Sequence, residues 1–150
     1  MGIVALVTWI AAAAAGLYLV SIWLIEYDKD FQAGTATRLP PVVLISHITL
    51  AGGGLIVWAA YLLFNSHKLA WIAVLALVLA ATLGATMATR WIGVYRDARL
   101  MRLQAVDARL IEAGPPERNF SLAVVIGHGV FAVATLTVVL LIALGVGGRS

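Results

Sequence analysis

Four apolar runs leave this chain few choices of fold: 3–25, 41–64, 69–93 and 122–146. Each reaches or exceeds the roughly 20 residues that cross about 30 Å of hydrocarbon as a helix. None contains Asp or Glu, and Arg90 is the one permanently charged residue within them. A backbone in lipid must satisfy its own hydrogen bonds, which a helix does within one segment. The expectation is therefore an all-α membrane protein, a single integral membrane domain over 1–150, with four transmembrane helices in an up-down bundle. Composition agrees. The chain is 63% hydrophobic and 11% charged, against roughly 45–50% apolar and 25% charged for soluble domains.

The first run lacks a basic leader and is too long for the apolar core of a cleaved signal. It passes directly into Glu26-Tyr27-Asp28-Lys29-Asp30, with Trp23 and Tyr27 at interfacial depth. It reads as a retained helix whose Ala11–Ala15 and Gly16 offer a small-residue packing face. Residues 65–68 form a tight turn, so the second and third runs make an antiparallel hairpin. Residues 26–40 form a polar loop, and Pro41 suits the first turn of the second helix. The longest connection is 94–120. Within it Leu103, Val106 and Leu110 recur at helical spacing, with Arg96, Arg99, Arg102 and Arg109 elsewhere on the surface. No breaker separates this stretch from the third run. The third helix is expected to continue into the cytoplasm and stop at Gly114-Pro115-Pro116, and the fourth to start with Asn119 or Ser121 as its cap.

Lys and Arg set the expected orientation. The two long loops carry Lys29, Arg38, Arg96, Arg99, Arg102, Arg109 and Arg118, with Arg90 close by, while the other side carries Lys68 and Arg149. The positive-inside rule then puts the long loops in the cytoplasm and both termini outside a cell (inner) membrane. Asp97, Asp107 and Glu112 interrupt the basic stretch, so it reads as a solvated helix and a surface for a membrane or cytoplasmic protein partner. It is not a nucleic-acid footprint.

Two histidines interrupt the apolar runs. Val43-Leu44-Ile45-Ser46-His47 has a near copy in Val124-Val125-Ile126-Gly127-His128, and an alanine follows four residues after each histidine (Ala51, Ala132). The match suggests an old duplication of a two-helix unit. His47 lies six residues after Pro41, and His128 six residues after Leu122. Both therefore sit about 9 Å inside their helix starts. The second and fourth helices run in the same direction and are diagonal partners in an up-down bundle. The two imidazoles are thus expected at one depth, facing each other near the cytoplasmic face. A titratable, metal-competent side chain in lipid is by default a functional-site hypothesis.

Two imidazoles make a poor zinc site, which wants three or four ligands. The chain has no cysteine, which excludes thiolate metal sites, iron–sulfur ligation, thiol catalysis and disulfides. A haem iron needs only two axial ligands. Ser46, Ala51 and Gly52–Gly54 leave room beside His47, and Gly127, Gly129 and Ala132 leave room beside His128. Gly54 and Gly127 are therefore candidate slot residues. Arg90, Arg38 and Arg118 could pair with haem propionates through their fork geometry. A plainer reading stands beside this one. Each histidine could bond a carbonyl across helices, and the glycines could serve helix packing. His67, in a turn with Asn65, Ser66 and Lys68, reads as interfacial.

With His47 and His128 paired in a four-helix chain, the sequence resembles membrane b-type cytochromes, namely the cytochrome b561-like proteins and the haem-bearing anchors of respiratory dehydrogenases. The resemblance lies in helix number and the paired histidines. It departs from the di-haem members, since only one further histidine, His67, exists. It implies one haem b ligated by two histidines, and electron transfer within a respiratory chain, with a quinone as a candidate partner. Two other functions compete. One is a non-catalytic accessory or assembly subunit of a membrane complex, acting through 94–120. The other is a small transporter, for which the apolar runs provide no carboxylate and only the histidines as a relay. No GxSxG, P-loop, dinucleotide or metalloprotease motif supports a soluble enzyme.

Overall fold

The computed structural model describes residues 1–32, 37–104 and 114–146. It contains α1 (Gly2–Gln32), α2 (Pro41–Phe64), α3 (His67–Leu103), a single 3-10 turn (Pro116–Asn119) and α4 (Leu122–Ala143). No strand occurs among the described residues. All four α-helices contain stretches long and apolar enough to cross a membrane. The 24 residues of α2 extend about 36 Å, a little more than a hydrocarbon core.

Local chemistry places the helix ends. Pro41 opens α2, where a missing N–H costs nothing. Asn65 closes it in the left-handed region (φ 48°), its N–H donating to the Tyr61 carbonyl at 2.8 Å. Two residues then suffice to turn into α3. At the end of α4, Gly145 (φ 77°) donates to Ile142 and Val146 to Leu141, the paired bonds of a Schellman cap. The final residues of the fourth apolar run are this cap, so the regular helix stops short of 146. Ser121 occupies the N-cap position of α4 without a side-chain cap bond, and Asn119 lies in the 3-10 turn. α3 continues without a break to Leu103, as expected; the remainder of the expected helix, 105–113, lies outside the described residues.

α2 pairs closely with α3, and α1 with α4. The α3–α4 seam is looser and the α1–α2 seam looser still. The backbones of α1 and α3 do not approach each other closely, nor do those of α2 and α4, among the described residues. The bundle is therefore a square with α2 and α4 on one diagonal. Large side chains face outward: Ile3, Leu17, Val42, Ile56, Leu63 and Val133 are all exposed. Small ones face inward, with Ala5, Ala12, Ala70, Ala73 and Ala80 buried. This is the inverse of a soluble bundle and suits helices surrounded by lipid, where close approach drives packing.

Two clusters hold the square together. At the end away from the long loops, Trp9 and Trp58 pack with Ala5, Ala73, Leu77 and Val139. At the loop end, Trp23, Leu39 and Leu44 pack with Tyr27, Met87 and Phe120. Trp58 is fully buried, and its Nε1–H donates to the Gly2 carbonyl at 3.2 Å, tying α2 to α1 across the loosest seam. Replacing Trp58 with Ala removes a fully buried indole and its hydrogen bond, and a truncation of this kind destabilises a bundle by about 3–5 kcal/mol. Unfolding of the detergent-solubilised protein followed by circular dichroism checks this.

Candidate functional site

His47 and His128 each sit in the second turn of their helix, on α2 and α4. The bundle brings the two rings together across its centre. Their centroids are 6.0 Å apart and their planes meet at 63°. Each ring is held from behind by a neighbouring helix. His47 Nδ1 lies 2.8 Å from the Ala80 carbonyl of α3, and His128 Nδ1 lies 2.8 Å from the Ala12 carbonyl of α1. A carbonyl only accepts, so Nδ1 carries the hydrogen in both rings. Nε2 then keeps its lone pair.

Both carbonyls lie in helix interiors, where the residue four positions on normally screens them. Those residues here are Gly84 and Gly16. A Cβ at Gly84 would sit 3.2 Å from His47 Cε1, and one at Gly16 would sit 3.1 Å from His128 Cε1. Glycine at each position thus lets an imidazole lie against the flank of the neighbouring helix. The resulting arrangement is close to two-fold. Ala5, Ala12, Gly16, Trp23 and Tyr27 of α1 recur as Ala73, Ala80, Gly84, Trp91 and Tyr95 of α3, each 68 positions later. The buried members match: Ala5 with Ala73, Ala12 with Ala80, Trp23 with Trp91. Each Trp also packs on its Tyr, with ring centroids 4.6 Å apart in α1 and 5.2 Å in α3. The sequence reading detected the repeat in α2 and α4 and missed it in α1 and α3. Aligning the first and third runs on Trp-x3-Tyr would have found it.

Between the α1–α4 pair and the α2–α3 pair lies a cavity of about 500 Å3, within the usual range for a small-molecule or cofactor site. Both histidines line it, with Gly16, Ala51, Gly84, Ala85 and Ala132 among its walls. Trp23, Trp91, Leu39 and Phe120 line its loop end. Exposed residues border it at both seams: Leu17 and Gly52 at α1–α2, Ala85 and Gly129 at α3–α4. It is therefore a slot whose two edges reach the lipid-facing surface. A smaller void of about 70 Å3 continues past the histidines toward Trp9, Leu77 and Thr135.

The other expected site residues divide. Gly52 and Gly129 line the slot. Gly54 lies outside it, at a helix crossing where a Cβ would come within 3.0 Å of both Ala76 and Trp9. Gly127 does not border the slot either. None of the three arginines lines the cavity. Arg38 pairs with Asp97 at 3.5 Å, and Arg90 donates to the Arg38 carbonyl at 3.3 Å. Arg118 lies 3.8 Å from Glu26 and donates to the carbonyls of Gly114 and Pro115. All three stand near the loop end, directed to loop and helix-end partners.

Glu117 is a polar residue that sequence reading passed over. It is fully buried in the 3-10 turn. The Arg38 backbone N–H donates to its Oε1 at 2.6 Å and the Thr37 hydroxyl donates to its Oε2 at 3.0 Å. Thr37 in turn accepts from Trp23 Nε1–H at 3.1 Å. This chain latches the two interhelical loops together over the slot. No local pattern marks it, because its partners lie some 80 positions away.

Among the described residues no third His, Cys, Asp or Glu joins the imidazole pair. The arrangement can thus offer two opposed nitrogen ligands and a flat apolar slot to a group that brings its remaining ligands with it. No family model, curated protein or solved structure matches the chain.

Proposed function

We propose that the chain is a membrane electron-transfer protein, or the membrane subunit of a redox complex, that binds one haem b between His47 and His128. The single observation that carries this reading is the imidazole pair: 6.0 Å between centroids, with both Nδ1 atoms engaged from behind. Two imidazoles on opposite sides of one metal, with metal–nitrogen bonds of about 2.0–2.1 Å and a ring radius of about 1.1 Å, would place their centroids roughly 6.2 Å apart. The cradle fits too, since Gly16 and Gly84 leave the flanks of both rings free of Cβ atoms. With no cysteine for a thioether link, the group is held non-covalently apart from the two axial histidine bonds.

A haem iron held there supplies one-electron redox chemistry. The protein's own residues do the rest. The Ala80 and Ala12 carbonyls fix each histidine's tautomer and ring orientation, which raises its basicity as a ligand. The walls of Ala, Gly, Leu and Val exclude water and lower the local dielectric. The slot edges at the two seams give a lipid-soluble electron carrier such as a quinone a short path to the site. The distribution of Lys and Arg supports long loops in the cytoplasm and termini outside, with the basic stretch after α3 as the surface for a protein partner.

Protein purified in detergent from a haem-replete host is expected to be red, with a low-spin, six-coordinate reduced-minus-oxidised spectrum and about one haem per chain by pyridine haemochrome. A colourless preparation that also fails to take up added hemin overturns the reading.

A further inference from the structure

Trp91 has a buried indole N–H without an acceptor. The side chain is 5% exposed, and Nε1 finds no hydrogen-bond partner and no solvent. A buried donor left unmade carries the full desolvation penalty of that group, and such groups in a folded protein call for a partner from elsewhere. The ring lines the slot at its loop end. Its quasi-two-fold mate, Trp23, lines the same end and is satisfied, since its Nε1–H donates to Thr37 Oγ1 at 3.1 Å. The position in α4's approach that matches Thr37 in the 81-residue repeat is Arg118, a donor and no acceptor. The repeat thus leaves one of two equivalent indoles without an acceptor, its N–H covered and its ring at the wall of the cavity.

We infer that the Trp91 indole N–H donates a hydrogen bond to a carboxylate on the edge of the bound porphyrin, setting the ring in the slot with its acid edge toward the long loops. This rests on the bis-histidine reading above. Depth supports it. Gly84 stands beside His47, and Trp91 follows seven residues later on the same helix, about 10 Å farther toward the loop end. That step is comparable to the reach from the centre of a porphyrin to its acid arms. Charge supports it as well. Carboxylates are expensive within the bundle and are better placed at its polar end, where Arg38, Arg90 and Arg118 stand near without lining the slot. The arginines then set the potential of that end, while Trp91 makes the directed contact. Trp91 is a binding residue for the cofactor in this account, and Glu117 acts on the opposite wall by holding Thr37 against Trp23.

The test uses full-length protein, made without haem and titrated in detergent with hemin and with hemin dimethyl ester, whose acid arms are masked. Wild type is expected to bind hemin about tenfold more tightly than the ester, the effect of one hydrogen bond to a charged acceptor. In Trp91→Phe this preference falls to within about twofold, and the low-spin spectrum persists because both histidines remain. Equal weakening of both ligands, or no change in either, overturns the inference while leaving the bis-histidine reading intact. A preference that survives in Trp91→Phe and is lost in Arg90→Gln also overturns it. Wild type that gives a low-spin spectrum with neither ligand overturns the parent reading, and this inference with it.

Discussion

His128→Ala is expected to abolish the low-spin spectrum that the proposed bis-histidine haem would give, and His47→Ala to abolish it equally. Each variant retains at most a five-coordinate, high-spin haem bound more than about a hundredfold more weakly, since even removing a residue behind a metal ligand costs about 10–100-fold. The two losses should be alike because the two rings are alike: same turn of parallel helices, each Nδ1 2.8 Å from an alanine carbonyl. Neither substitution should unfold the bundle. Both rings sit at a cavity wall, apart from the cluster around Trp9 and Trp58, so helix content by circular dichroism stays near wild type. Imidazole added to the medium should restore the low-spin spectrum in either variant by filling the space the ring has left. If both histidines served only as hydrogen-bond donors across helices, alanine variants would lose a little stability and no colour would be at stake.

Gly84→Leu should abolish haem binding while leaving the helices intact. A Cβ alone would approach His47 Cε1 to 3.2 Å and Nδ1 to 3.5 Å, so a branched side chain takes the space of the imidazole and separates it from the Ala80 carbonyl. The ring must turn away, its tautomer is no longer fixed, and the slot narrows on the same side. Gly16→Leu should act in the same way on His128, where the approach is 3.1 Å to Cε1. Gly53→Leu is the comparison. That glycine is exposed, lies outside the slot and has nothing within 4 Å of its Cβ position, so the spectrum there should change little. Absorption spectra and circular dichroism of the three variants, read together, separate a blocked site from a collapsed bundle. Equal effects at positions 53 and 84 would sink the argument.

Much of this architecture could be read directly from the residues. Hydrophobic length marked four spans, and Pro41 and Ser121 marked the starts from which His47 and His128 count to one depth. Two crossings between them made their helices parallel. The supports of the site were harder to see. Gly16 and Gly84 are unremarkable in runs rich in Ala and Gly until their carbonyl neighbours are known. Arg38, Arg90 and Arg118 were placed at the correct end, yet they turn to Asp97, the Arg38 carbonyl and Glu26 with its neighbouring loop carbonyls. Glu117 carries no local signal in the sequence and is the fully buried centre of a latch.

The division has one physical cause. Span number, direction and depth follow from transfer free energy and the fixed helical rise, which act along the chain and need no partner. Which face of each helix turns inward follows from rotation about its axis. In a soluble bundle an amphipathic stripe announces that rotation. Helices apolar on every side carry no such stripe, so the choice falls to close packing of small residues. Only the assembled bundle decided that Gly16 and Gly84 would lie behind the imidazoles, and that Trp91 would line the slot with its N–H unbonded.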